Sequence, residues 1–473
     1  MPESFDVVLV GAGFASTFFA YRWLQRNPRT RVLMLERGPD KSHQQQIDDG
    51  DPLFETPNTI RNLTPSKPWM FKHLVGGSSN CWTGNTPRMT PGDFQLRTRY
   101  GVGVDWPLTY DDIEPYYCEA ESLLGVAGSQ TSSPVPMSRP YPLPPHRMAD
   151  PDLALARAHP GQFFPMPCAR PTKSIGLRPA CCASIRCVRC PVDSKFTILN
   201  GMRAVLDHPQ VTVRPDSLVQ HVDVEAGRAT GVTYRSESKQ APTSVRSEHL
   251  VVLGANAIFN AHLLLRTGLD EGQPGRGLVE QTSVNAIIKL NGMKAFQGST
   301  QVTTAGYPWY DGPHRRRHAA ALLECNNEPR LRDLPGRWRE QFMMRVVVED
   351  LPNPESRVTL EPDEPDRPRV RFAGISPYAQ AGIDAAKAGL PGLLSSLPVE
   401  QIKFSHSETE AHIQCTTPMG TDPKRSVVDA DSIHHRVRNL LILGASTFPT
   451  AAPANPTLTL SALALRAADR LSA

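Results

Sequence analysis

The stretch FDVVLVGAGFAS, residues 5–16, sets a β-branched run before Gly11-x-Gly13 and then opens an amphipathic segment, STFFAYRWLQR. The order is strand, tight turn, helix, the start of a Rossmann-like parallel sheet. Gly11 permits the turn, and Gly13 lets the backbone approach a pyrophosphate. Phe14, Ala15 and Ser16 begin the helix, whose free N–H groups face phosphate oxygens. Ser16 takes the third glycine position and is small enough for close helix–strand packing. A second strand, RVLMLERG, ends on Glu36, 23 residues beyond Gly13. A carboxylate there binds the ribose hydroxyls of an adenosine and disfavours a 2′-phosphate. The motif predicts a dinucleotide site without choosing between NAD and FAD.

At 473 residues the chain exceeds one simple core, so two or more domains are expected. A formal charge of +4 is too mild for a nucleic-acid binder. The densest basic run, HRRRH at 314–318, sits beside Gly312 and Pro313 and reads as a solvated loop. The 45 prolines concentrate in SSPVPMSRPYPLPPHR (132–147) and EPDEPDRPRV (361–370), expected to be rigid surface connections. The absence of any run of 18 apolar residues argues against a transmembrane helix. Met1 leads into a strand with no basic leader segment, so a cytoplasmic location is expected.

In PACCASIRCVRCPVDSKF, four of the chain's 9 cysteines (Cys181, Cys182, Cys187 and Cys190) fall within ten residues. Zinc ligands usually come as two separated Cys-x2-Cys pairs, whereas iron–sulfur ligands often form a compact run ending in Cys-Pro. Iron–sulfur, zinc, and free or disulfide-bonded cysteines all stay open on spacing alone.

Further segments carry a family resemblance. HLVGGSSNCWTGNTPR (73–88), DWPLTYDDIEPYYCEAESLLGV (105–126) and the tail from HIQCTTPMG to AADRL (412–471) resemble the glucose–methanol–choline (GMC) oxidoreductases. The likeness is to the branch of pyranose oxidases and bacterial FAD sugar dehydrogenases. It implies an α+β/α/β fold in which a Rossmann-like FAD-binding domain is interleaved with an antiparallel-sheet substrate domain. The expected partition is 1–100, 186–285 and 421–473 for FAD binding, 286–420 for the substrate domain, and 101–185 for a linker segment with the Pro-rich loop.

The resemblance implies FAD contacts at Gly76, Gly77, Ser78, Asn80, Cys81, Trp82 and Thr83. It also places the Val219 backbone against the adenine, and Ala255, Gly444, Ala445, Asn455, Pro456 and Thr457 about the cofactor. Neutral hydrogen-bonding groups in the first of these segments suit an isoalloxazine ring held without added charge. Pyranose oxidases bear a histidine where Cys81 stands, so a histidyl–flavin bond is excluded; non-covalent FAD is expected, with a cysteinyl bond the alternative.

His412 occupies the family's catalytic-base position and Asn455 its paired position. An imidazole is neutral near pH 7 and can take a hydroxyl proton. The family usually has glycine where Cys415 stands, which opens an alternative reading as an inactive flavin-binding protein. If FSHSETEAH is a strand, His406, Glu408, Glu410 and His412 share one face. Its carboxylates would then serve a cationic substrate such as an amino sugar, or line a solvated rim.

In the related sugar dehydrogenases a similar cysteine-rich insertion holds a [3Fe–4S] cluster, with Cys-x3-Cys-Pro where this chain has Cys-x2-Cys-Pro. By that likeness a [3Fe–4S] cluster is expected on Cys187, Cys190 and one of Cys181 and Cys182, which would make the enzyme a dehydrogenase. Without it, an oxygen-using oxidase is the alternative. The implied reaction is FAD-dependent oxidation of an alcohol of a sugar, glycoside or aminocyclitol-like molecule to a carbonyl, with the electron acceptor unspecified.

Overall fold

The β-branched run forms the strand Ser4–Val10, which lies in the middle of a seven-stranded sheet. The structure, a computed structural model, describes residues 3–55, 57–236 and 241–472. Strand Ser4–Val10 pairs in parallel with Val32–Leu35 on one side and Thr243–Leu253 on the other. Val211–Arg214 extends the parallel edge beside Val32–Leu35. Thr243–Leu253 begins antiparallel to Arg228–Ser236 and ends parallel to Leu440–Ile442. Val7, Val8 and Leu9 are fully buried, as expected for a strand covered on both faces.

The segment 211–236 divides between two pairings. Only Ser217–Glu225 and Arg228–Ser236 form the hairpin, about Ala226 and Gly227, both at positive φ, the requirement of a tight primed turn. Three helices close one side: Phe14–Arg26 packs on Thr457–Ser472, which packs in turn on Tyr110–Leu124. The last of these starts at a reciprocal Thr109–Asp112 cap and stops at Gly125 in the left-handed conformation.

The second sheet is antiparallel, in the order Val399–Ser407, Thr282–Leu290, Gln341–Val348, Ala321–Asn326, Val302–Gly306, Phe163–Pro165. Alternation sorts its faces. Val284, Ala286, Ile288, Met344, Val346, Val348, Leu323 and Cys325 pack against Ile383, Ala386 and Leu390 of the helix Pro377–Leu393. Asn285, Arg345 and Glu324 fall on the opposite face. Beyond Gln341–Val348 the chain leaves this sheet, and Arg357–Thr359 joins a small third one. Among the described residues no helix is long and apolar enough to cross a membrane.

The run at 314–318 is solvated except at Arg315. Arg315 is fully buried, donating to Asp93 Oδ1 at 2.8 Å and to Glu349 Oε2 at 2.6 Å. Those carboxylates lie 222 and 34 residues away, so nothing local in the sequence marks the contact. Arg315→Leu leaves two buried carboxylates without their cation and is expected to lower stability by about 3–5 kcal/mol in denaturant titration. Arg316→Leu, at an exposed neighbour, is expected to stay within about 0.5 kcal/mol of the parent.

Candidate active site

A cavity of about 400 Å³ runs from the glycine turn to the polar face of the antiparallel sheet. At the turn, Gly11 has φ +91°, and a Cβ there would fall 2.9 Å from the Gly254 carbonyl oxygen. At Gly13 a Cβ would meet only Gly77 Cα at 3.9 Å. The side of the turn facing the cavity is therefore open where a phosphate would press. The helix Phe14–Arg26 has no side-chain cap at Gly13, which leaves its first N–H groups to an anion. Glu36 accepts from Ala12 N at 2.9 Å and Gly38 N at 3.0 Å. Burial pushes its carboxyl up to about 7.

Of the sequence-predicted cofactor residues, Gly11, Gly13, Phe14, Ala15, Glu36, Gly77, Ser78, Cys81, Trp82, Thr83, Val219, Ala255, Gly444, Ala445, Asn455, Pro456 and Thr457 line this cavity. Ser16, Gly76 and Asn80 do not. Ser16 packs at the back of the turn against Gly254, where an added Cβ would come within 2.0 Å of its Oγ. Gly76, at φ +91°, starts the short helix Gly77–Asn80. Asn80 donates to the carbonyls of Val75 at 3.2 Å and Gly77 at 2.9 Å. These three shape the wall from behind.

Two buried cations fix the segment 80–85 from outside the cavity, and sequence reasoning missed both. Lys195, 2% exposed, donates from Nζ to the carbonyls of Trp82 at 2.8 Å, Val188 at 3.1 Å and Asn80 at 3.4 Å. Arg170, 1% exposed, donates to the Thr83 carbonyl, Asn85 Oδ1, Thr300 Oγ1 and the Val302 carbonyl. Neither is ion-paired with a carboxylate among the described residues. Burial lowers Lys195 to about 8. Burial opposes the charge on Arg170 too, but the neighbouring thiols of Cys168, Cys187 and Cys181 hold its pKa above the ordinary value.

The structure lends no support to the metal site expected at the cysteine run. Cys182 is exposed, Cys181 half-buried, and Cys187 and Cys190 buried. Cys181 Sγ lies 3.7 Å from Thr300 Oγ1, while Cys190 Sγ accepts from Ser194 N at 3.3 Å. No group of three or more His, Cys, Asp or Glu among the described residues is arranged to hold a metal ion. Spacing brings sulfurs near one another along the chain without setting where they point. The segment reaches the cavity through Val188.

At the other end stand His412, Glu410, Arg345 and Asn455. The expected strand through FSHSETEAH ends at Ser407, so His406 and Glu408 are exposed and absent from the cavity wall, whereas Glu410 and His412 line it. Alternation fails because the loop is tied elsewhere. Buried Glu280 accepts from Thr409 Oγ1 at 2.8 Å and from Lys67 Nζ, which also donates to the Glu408 carbonyl at 3.1 Å. Ala411 then turns through φ +58°.

His412 Nδ1 lies 3.1 Å from Gln281 Oε1. The Gln281 amide is oriented by two carbonyls: Nε2 donates to Ala452 O at 2.7 Å and Ala454 O at 2.9 Å. Oε1 is thus an acceptor, and Nδ1 of His412 carries the hydrogen, which leaves the Nε2 lone pair free. Burial, with Arg345 and Lys67 adding to it and Glu410 opposing, lowers His412 to about 4. Gln281 has no local sequence signature that could have revealed it.

Residues 379–464 match the family model described as GMC oxidoreductase. The fructose dehydrogenase large subunit of Gluconobacter japonicus is 26% identical over 99% of this chain and 98% of its own length. The paromamine 6′-oxidase of Streptomyces fradiae is 27% identical, over 99% and 91%. Among solved structures, the pyridoxine 4-oxidase of Mesorbium loti superposes with a TM-score of 0.66 at 19% identity, over 99% of both chains. The fold is that of the GMC oxidoreductases, the family whose model matches the segment 379–464.

Gly13 and Gly254 separate cofactor contact from packing. Gly13→Ala has room in the protein and an extended backbone, so it is expected to purify with little flavin yet melt with the flavin-stripped parent. Gly254→Ala collides with Ser16 and is expected to lower the melting temperature as well; flavin absorbance and thermal melts of both variants check this.

Proposed function

We propose that the chain is an FAD-dependent alcohol oxidoreductase that converts one hydroxyl of a sugar, glycoside or aminocyclitol-like molecule to a carbonyl. The observation that carries this reading is the His412 tautomer fixed by Gln281, with a free Nε2 in a cavity whose far end suits a dinucleotide. Several features fit FAD: the open face at Gly13, the uncapped helix start and the buried Glu36 carboxyl. Asn455 adds a buried Oδ1 that has no hydrogen-bond partner among the described residues. Gly11, Gly13, Glu36 and the Val219 backbone would hold the adenosine diphosphate, and Gly77 to Thr83 with Asn455 to Thr457 the flavin ring.

Bound FAD supplies the hydride acceptor. His412 accepts the substrate hydroxyl proton at Nε2, and Gln281 keeps Nδ1 protonated while it does so. The depressed basicity of His412 keeps the imidazole neutral through the physiological range. Asn455, on the loop that also supplies Ala452 and Ala454 to Gln281, orients the substrate oxygen. Arg345 and Glu410 close the end of the cavity beside the base.

Cys81, whose thiol burial pushes up to about 11, is a poor nucleophile, which supports non-covalent FAD. The side chain of Cys415 is buried in the core with φ +71° and does not line the cavity, which speaks against the inactive reading. The acceptor stands outside this proposal, because relatives named as dehydrogenase and as oxidase align equally along the chain. Peroxide formed per carbonyl in aerobic turnover separates the two.

His412→Ala is expected to slow anaerobic flavin reduction by about 10²–10⁴ while flavin content is retained. A loss under about tenfold would remove His412 from the base role. Since the unprotonated form is the active one, reduction should be flat above pH ~5 and fall as acid titrates a group near 4. Stopped-flow reduction across pH reads both.

A further inference from the structure

Asn285, Arg345 and Glu324 stand in one row across three neighbouring strands, in direct register: Asn285 opposite Arg345, and Arg345 opposite Glu324. Arg345 Nε donates to Asn285 Oδ1 at 3.1 Å and Nη1 to Glu410 Oε2 at 3.2 Å. Nη2 has no hydrogen bond among the described residues, and the side chain is 30% exposed, against 4% for Glu410. The Ser283 hydroxyl donates to the other oxygen of Glu410. Arg345 and Glu410 line the same cavity as His412, and the charge of each acts on its imidazole.

We propose that the Arg345–Glu410 pair selects the substrate, accepting a neutral hydroxyl next to the reacting carbinol and rejecting an ammonium group at that position. The proposal rests on the reading of His412 as the base. A hydroxyl both donates and accepts, so it can donate to a Glu410 lone pair while accepting from Arg345 Nη2. An ammonium group only donates, and it would bring a positive charge beside a guanidinium that stays ionised. Away from bulk water such a like-charge contact is strongly unfavourable.

A lone carboxylate in this place would select the amine. Here Glu410 already carries a guanidinium and a hydroxyl donor, so its charge is spent within the protein. The remaining charges nearby do not restore it. Lys67 is paired with Glu280. Glu324 is buried, accepts from Asn85 Nδ2 at 3.2 Å, and does not line the cavity.

The test uses flavin-loaded enzyme without oxygen, a panel of neutral hexoses, glycosides and inositols, and their matching amino sugars and aminocyclitols. Flavin bleaching gives kcat/KM for each member. Wild type is expected to favour the neutral member of a pair by about tenfold or more. Arg345→Gln is expected to weaken the neutral member chiefly through KM and to move the ratio toward the amine by about tenfold. Glu410→Gln, which leaves the guanidinium uncompensated, should move the ratio further from the amine. Flavin content and melting temperature of both variants verify folding. A wild type that prefers the amine, or a ratio unmoved by either substitution, overturns the proposal while the base reading stands on His412→Ala. Bleaching by no alcohol at all overturns both.

Discussion

Two buried cations that lack a carboxylate partner among the described residues hold the wall on which the rest of this structure depends. Leaving a backbone carbonyl unpaired in the interior is costly, and Lys195 and Arg170 between them satisfy those of Asn80, Trp82 and Thr83. Burying an ammonium and a guanidinium is itself expensive, and the depressed pKa of Lys195 records that cost. In return the segment is tied in two directions. Arg170 links it to Thr300 and Val302 at the antiparallel sheet, and Lys195 links it to Val188 in the cysteine run. Trp82 meets Phe14 edge-on, with ring centroids 4.8 Å apart, so the glycine turn is braced by the same wall.

Around that wall the site is assembled by two different periodicities. The parallel sheet is apolar on both faces and ends in a turn, so it offers backbone, helix N–H groups and a single carboxyl. The antiparallel sheet is apolar on one face only, and its other face presents side chains. Glu280 and Gln281, consecutive residues at the entrance to Thr282–Leu290, divide the remaining task. The first anchors the loop that carries Glu410, and the second orients His412.

What could be read in the sequence was what is local. Strand, glycine turn, helix and Glu36 lie within one short stretch, and the structure puts them together as the pattern requires. The family likeness pointed to His412 and Asn455, and both reach the same cavity. Contacts closed over long distances were invisible. Arg315 looked solvated because its carboxylates come from remote segments, and Lys195 and Gln281 act through carbonyls that no pattern announces. Period-two reasoning overran at Ser407 because Lys67 and Glu280 pull the chain off the sheet. The cysteine run shows the same limit, since spacing is not direction.

The central strand Ser4–Val10 also carries a consequence in time. One neighbour, Val32–Leu35, follows it at once, whereas the other, Thr243–Leu253, lies more than two hundred residues on. The last strand of that sheet, Leu440–Ile442, comes later still. At roughly 5–20 residues per second, a nascent chain holds an apolar edge open for on the order of tens of seconds before those partners are made. The helix Thr457–Ser472, which packs on Phe14–Arg26, comes after all of them. The sheet that frames the cavity is therefore completed late, and until then the growing chain carries an unpaired strand edge.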